Sequence, residues 1–210
     1  MDKYQETFDT WNKIAKIYED KFMNLDLYND TYDAFVDLLP KANASILEIG
    51  CGPGIIPKYL LTKNPSLKIT GIDISENMLA LAKKNNPSTD FEIMNTRKIN
   101  NINDSFDAIM CGFCIPYLSK TDCLKFINDC KNLLNNSGIL YLSFVEGNYE
   151  NSGFITGSSG DRTYFYYHNL EQLQKELKAN TFETKGFFKK SYEKSDGTKE
   201  NHTILIVKKP

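Results

Sequence analysis

Glu48, Gly50, Gly52 and Gly54 stand at alternate positions in the stretch Ser45-Ile-Leu-Glu-Ile-Gly-Cys-Gly-Pro-Gly-Ile-Ile-Pro57. Missing Cβ atoms let a backbone turn tightly and lie directly against a ligand. Asp73 closes a second apolar run formed by Leu67, Ile69, Gly71 and Ile72. A carboxylate at that place accepts two hydrogen bonds from a ribose diol, which is what holding an adenosine demands. The spacing is not the dinucleotide fingerprint G-x-G-x-x-G, because Ile55 stands where its third glycine would be.

Other residue types with chemical potential weigh less. Cys111-Gly-Phe-Cys114 has the spacing of a redox dithiol, yet it follows a fourth strand in a long α/β pattern, and no second ligand pair stands at a matching spacing for zinc. Cys123 and Cys130 fall on an apolar helix face. The chain has two histidines. His202 lies in a terminal strand without a sequence partner and reads as structural or exposed. His168 lies between an aromatic run and a helix cap, as either a general base over a substrate or a polar residue at a helix start.

The elements that position these groups follow from periodicity. Tyr4, Phe8, Trp11, Ile14 or Ala15, Tyr18 and Phe22 share one face of a helix over residues 1–22, and Tyr28, Tyr32, Phe35 and Leu39 repeat the pattern. Ile46, Leu47 and Ile49 make a buried strand, and Pro57 suits the first turn of the next helix. Ser75 caps a helix through Met78, Leu79 and Ala82, which Asn86-Pro87 ends. Phe91, Ile93 and Met94 form a third strand, and Phe106 to Cys111 a fourth. A helix capped by Ser119 ends at Asn135-Asn136-Ser137-Gly138, before a fifth strand from Ile139 to Val145 with Glu146 at its end. Residues 147–163, rich in glycine, serine and asparagine, read as a flexible loop. Tyr164 to His168 leads into a helix capped by Asn169. Two long strands, Phe182 to Tyr192 and Thr203 to Val207, close the chain through a turn at Asp196-Gly197.

The glycine turn together with Asp73 resembles the class I S-adenosylmethionine-dependent methyltransferases, over about residue 10 to the C-terminus. The resemblance implies an α/β, Rossmann-like fold: a seven-stranded, mostly parallel sheet with an antiparallel last strand, helices on both faces and an N-terminal helical cap. It implies one domain over residues 1–210, divided into a cap (1–44), a cofactor-binding core (45–146), a lid and substrate segment (147–168) and a C-terminal helix and hairpin (169–210). It implies S-adenosylmethionine as cofactor and S-adenosylhomocysteine as product. Glu48, Gly50, Cys51, Gly52 and Gly54 would wrap the methionine part, and Asp73 the ribose. Ile74 and Met78 would pack on the adenine, and Tyr18 would lie over the cofactor. Relatives carry an acid near Asn95-Thr96 for the adenine amino group; here the Asn95 amide oxygen or the loop backbone would serve. Cys111 and Phe113 would face the transferable methyl. Phe113, Tyr117, Glu146, Tyr166 and His168 would line the acceptor pocket, with Glu146 or His168 as base.

Composition bounds the alternatives. The chain has 210 residues, 41% hydrophobic and 25% charged, with a formal net charge of -2. That balance is ordinary for a globular domain and carries no strong nucleic-acid footprint. No run reaches membrane-span length, the first residues are too polar for a signal peptide, and five cysteines without scaffold density fit a cytoplasmic setting. The expectation is a small-molecule methyltransferase, monomeric or homodimeric, without nucleic-acid or membrane partners. An RNA- or protein-directed enzyme and a non-catalytic cofactor binder are the alternatives.

Overall fold

The structure, a computed structural model, describes residues 2–157, 159–194 and 197–210. Helices α1 (Lys3–Phe22) and α2 (Asn29–Asp37) precede β1 (Ser45–Ile49). Then come α3 (Ile55–Lys63), β2 (Lys68–Asp73), α4 (Glu76–Asn85), β3 (Asp90–Ile93) and β4 (Phe106–Cys111). The second half runs through α5 (Lys120–Leu133), β5 (Leu134–Val145), β6 (Gly153–Thr156), β7 (Arg162–Phe165), α6 (Leu170–Ala179), β8 (Glu183–Glu193) and β9 (Lys199–Lys208).

Seven strands form one sheet in the order β3-β2-β1-β4-β5-β9-β8. The pairs among β3, β2, β1, β4 and β5 are parallel, and β9 runs antiparallel to both of its neighbours. The expected fold is therefore the observed one. Central strands are buried on both faces, and alternate residues separate into two cores. Ile46, Ala108, Met110, Tyr141, Ile204 and Ile206 pack with Tyr32, Phe35 and Leu60 of α2 and α3. Leu47, Ile109, Leu140, Leu142, Leu205 and Val207 pack with Phe126, Ile127, Leu173 and Leu177 of α5 and α6.

Three boundaries differ from the sequence reading. β5 begins at Leu134 rather than Ile139, because Leu134 pairs with Phe106 before a register shift, and Ser137 takes up the irregularity at φ 62. β9 begins at Lys199 rather than Thr203, since β8 supplies partners down to Glu193. Residues 147–163 are not a featureless loop: β6 and β7 form an antiparallel hairpin. Its backbone docks on α1. Thr7 Oγ1 accepts from Tyr164 N at 2.9 Å, and Thr10 Oγ1 donates to the Arg162 carbonyl at 2.7 Å. Gly197 has φ 80, as a tight turn requires, while Asp196 lies outside the described residues. Among the described residues no helix is long and apolar enough to cross a membrane.

Candidate active site

The turn after β1 is held open by backbone hydrogen bonds. Gly50 N and Cys51 N both donate to the Ile72 carbonyl, at 2.8 and 3.0 Å, so the turn leans on β2. Gly50, Gly52 and Gly54 all have positive φ, at 71°, 53° and 80°. Their surroundings differ. A Cβ on Gly54 would lie 2.4 Å from Asn86 Nδ2, so this glycine serves close packing. A Cβ on Gly52 would meet nothing nearer than Tyr18 Cε1 at 3.9 Å, so this glycine faces the cleft.

Asp73 ends β2 facing the same turn. Its Oδ2 accepts from Gly52 N and its Oδ1 from Ser75 N, each at 2.9 Å. The carboxylate keeps lone-pair capacity for a ligand. Burial raises the Asp73 pKa, and the N–H groups of Ser75, Gly52 and Ile74 oppose that rise. Glu48 is 2% exposed, and its Oε2 has no hydrogen-bond partner. Burial, then the neighbouring Asp73 charge, raises its pKa well above the carboxylate range. A cationic ligand group at Glu48 would reverse that shift.

Two connected chambers meet at this turn. The first, about 840 Å³ with the space open to solvent, is lined by Asp73, Ile74, Met78, Asn95, Thr96, Arg97, Thr7 and Phe8. The second, about 1040 Å³ on the same measure, is lined by Glu48, Cys51, Tyr28, Tyr32, Phe165, Tyr192, Glu200 and His202. Trp11, Tyr18, Gly50, Gly52, Gly112, Phe113 and Tyr117 line both. The parallel strands thus deliver their C-terminal loops to one edge, where such sheets bind ligands, and α1 roofs them.

Phe113 sits at the centre of the shared wall with φ 56, a strained value for a bulky residue. Its N–H donates to Ser143 Oγ at 2.8 Å, which pins the loop. Strain held this way is common at ligand-facing positions. The ring lies 5.2 Å from Tyr28 and 4.8 Å from His202 between centroids. Trp11 meets Tyr18 and Tyr117 edge-on at 5.3 and 5.4 Å. Burial pushes the Tyr18 phenol up to about 12, so it stays neutral.

The residues named from sequence divide accordingly. Tyr18, Gly50, Gly52, Asp73, Ile74, Met78, Asn95, Thr96 and Phe113 line the first chamber. Glu48 and Cys51 line the second, and Tyr117 lines both. Gly54 and Cys111 line neither: Gly54 packs beneath Asn86, and Cys111 is fully buried within β4. The Asn95 amide oxygen already accepts from Arg97 N at 3.0 Å, so it caps the following turn.

Glu146, Tyr166 and His168 also lie off both chambers. Glu146 pairs with Lys189 and accepts from Thr203 Oγ1. His168 bridges to Glu146 and bonds the Ile115 carbonyl through Nε2 at 2.8 Å. Burial lowers its pKa, which suits a neutral structural imidazole. Tyr166 is buried against Tyr4 and Tyr164.

The second chamber instead holds a group that sequence reasoning passed over. His202 Nδ1 lies 2.7 Å from Tyr28 Oη and Nε2 lies 3.5 Å from Glu200 Oε2, with Tyr192 stacked on the ring at 5.3 Å. No local motif marks these four residues, because β8, β9 and the start of α2 come together only in the folded sheet. For the aromatic roof, the helical stripe was the available signal.

Residues 46–138 match the family described as a methyltransferase domain. The demethylmenaquinone methyltransferase of Thermotoga maritima is 26% identical over 143 residues, 68% of this chain and 58% of that protein. The tRNA N(3)-methylcytidine methyltransferase trm141 of Schizosaccharomyces pombe is 26% identical over 175 residues, 77% of this chain and 68% of that protein. The chain spans about half to two thirds of the length of the curated relatives it matches. In fold, it is similar to the magnesium protoporphyrin IX methyltransferase of Synechocystis with bound SAM, with a TM-score of 0.72, 18% identity and coverage of 100% of this chain and 98% of that one. Residues 46–138 therefore carry a methyltransferase domain, set in a sheet with the strand order of the Rossmann-like methyltransferase fold.

Proposed function

We propose that the protein transfers a methyl group from S-adenosylmethionine to a small molecule held in the second chamber. The observation that carries this reading is Gly52. Its missing side chain opens on the cleft between Asp73 and Glu48, whereas added Cβ atoms on Gly54 and Gly71 would fall within 2.4 and 2.6 Å of neighbours. The residues fit the cofactor. Asp73 is oriented for a ribose diol, the unpartnered Glu48 carboxyl suits an ammonium, and Ile74 and Met78 offer apolar surface for an adenine. When bound, the cofactor supplies an electrophilic methyl on a sulfonium and departs as a neutral thioether.

The protein's share of the work is positional. The shared aromatic wall excludes water and presents ring faces that favour a cation. Pinned by Ser143, Phe113 fixes the boundary between the chambers, so that a nucleophile in one meets a methyl in the other in near-attack geometry. The acceptor class rests on chamber size and composition, since relatives act on substrates as different as a quinone precursor and a tRNA by their names. Calorimetric titration with S-adenosylhomocysteine tests the cofactor half: micromolar binding is expected, and its absence would remove the reading. A thermal-shift screen of metabolites with that product bound then tests for a small acceptor, and a hit confined to RNA would reassign the substrate.

A further inference from the structure

The second chamber carries information about its ligand that the cofactor turn does not. Its wall combines aromatic rings with the polar corner Tyr28, His202 and Glu200. The groups facing His202 are Tyr28 from the start of α2, Tyr192 from β8, Phe113 from the loop after β4, and Glu200 from β9 itself. Glu200 is also paired with Lys194. Its carboxyl is held below the usual range, first by His202 and despite partial burial, so it remains an anion. No lysine or arginine lines the chamber among the described residues.

We infer that this chamber takes an uncharged or cationic aromatic acceptor and rejects anionic ones, with Tyr28, His202 and Glu200 as the polar corner that sets the choice. The inference rests on the methyl-transfer reading only for the word acceptor; the charge preference is a property of the chamber. Aromatic faces attract cations through the ring quadrupole. An anion buried there would lose its hydration, meet no lysine or arginine on the wall among the described residues, and face the Glu48 and Glu200 carboxyls. The contact between His202 Nε2 and Glu200 is long enough, at 3.5 Å, for a ligand hydroxyl or ammonium to compete for either group. Trp11, the single tryptophan of the chain, lies on the wall of both chambers and reports their occupancy by its fluorescence.

Three probes of one shape and different charge test this: benzyl alcohol, benzylamine and benzoate. Each is titrated against the whole protein by Trp11 fluorescence, with and without saturating S-adenosylhomocysteine. The alcohol and the amine should bind, and benzoate should bind at least about tenfold more weakly, as expected for like charges at partly buried sites. Glu200→Gln should weaken the amine several-fold and leave the alcohol unchanged. Tyr28→Phe, which keeps the ring, should weaken the alcohol. Both variants should hold S-adenosylhomocysteine within about twofold, since Tyr28 and Glu200 bond His202 and Lys194 rather than Asp73 or the glycine turn. Benzoate binding as tightly as the amine, or none of the three binding, would overturn the inference. Failure of S-adenosylhomocysteine to bind would instead remove the methyl-transfer reading, and the charge ranking without it would still decide this one.

Discussion

Asp73 is fixed by the N–H groups of Gly52 and Ser75, whereas His202 is fixed by Tyr28, 174 residues away in sequence. The first chamber takes its floor from consecutive strand ends, each followed at once by its loop: β1 by the glycine turn, β2 by Asp73-Ile74, β3 by Asn95 to Arg97. The second takes its polar corner from the antiparallel pair β8 and β9 and the residue that precedes α2. Local geometry builds the first and global topology builds the second. A change in the first should therefore act on one ligand and leave the fold, while the second should respond to sheet pairing as well as to chemistry.

The sharpest break between the two is within the glycine turn. Gly52→Val should abolish S-adenosylhomocysteine binding, because the branched side chain would project into the cleft. Its folding cost should be limited to left-handed strain, roughly 1–2 kcal/mol. Gly54→Ala should do the reverse. The new methyl would overlap Asn86 and Ala82, and strain plus overpacking should cost about 2–5 kcal/mol of stability. Chemical denaturation and calorimetry on both variants separate the outcomes. Equal binding loss in the two at equal stability would mean that both glycines face the ligand.

Asp73→Ala comes next in size. Losing charge-assisted hydrogen bonds to a diol should cost about 1.5–3 kcal/mol of cofactor affinity. The second chamber's response to benzyl alcohol should not change, and a change would show that the chambers are not separable at this wall.

Asp107 lies near the start of β4, at the end of that strand away from both chambers, and should act on the fold as a whole. Burial alone would raise its pKa, but Lys41, the N–H and hydroxyl of Ser45, and Asn135 outweigh that and hold it at about 2. The folded value lies below the unfolded one, so the contribution is complete above about pH 4 and disappears as pH falls toward 2. It amounts to about 2 kcal/mol. Asp107→Asn should lose that much at neutral pH and show a flatter acid limb in a stability-versus-pH series. An unchanged acid limb would assign acid unfolding to other carboxylates.

How much of this was legible follows the same division. The Glu48-to-Gly54 turn, Asp73 and the strand order behind them were readable because each signal is contained in a few neighbouring residues. His202 was not, because a histidine in a strand says nothing about which distant tyrosine it will meet. Glu146 and His168 misled for a related reason. Both stand near strand ends on the ligand edge, but the parallel bridge between them ties each to the other's backbone, and Lys189 and Ile115 then take up their side chains. Gly54 shows that a motif position does not fix a role; only the neighbour it would strike distinguishes a packing glycine from a binding one.

The smallest expected effect concerns the roof, where the sequence suggested a loop that orders on substrate binding. The hairpin β6–β7 is joined to α1 by Thr7 and Thr10, by Arg162 with Glu6, and by Lys13 with Asp161. α1 itself is anchored at its start, where Tyr4 donates to Asp122 and accepts from Ser119 N. Since α1 contributes Trp11 and Tyr18 to both chambers and is bonded to the hairpin, helix and hairpin should open and close as one unit. Hydrogen exchange should then give α1 and β6–β7 similar protection, rising together when S-adenosylhomocysteine binds, with β1 and β4 unaffected. Thr10→Val removes one hydrogen bond, worth about 1 kcal/mol. It should speed exchange in the hairpin several-fold while leaving cofactor affinity nearly unchanged. Fast exchange confined to the hairpin, with α1 protected throughout, would separate the two and leave α1 alone as the roof.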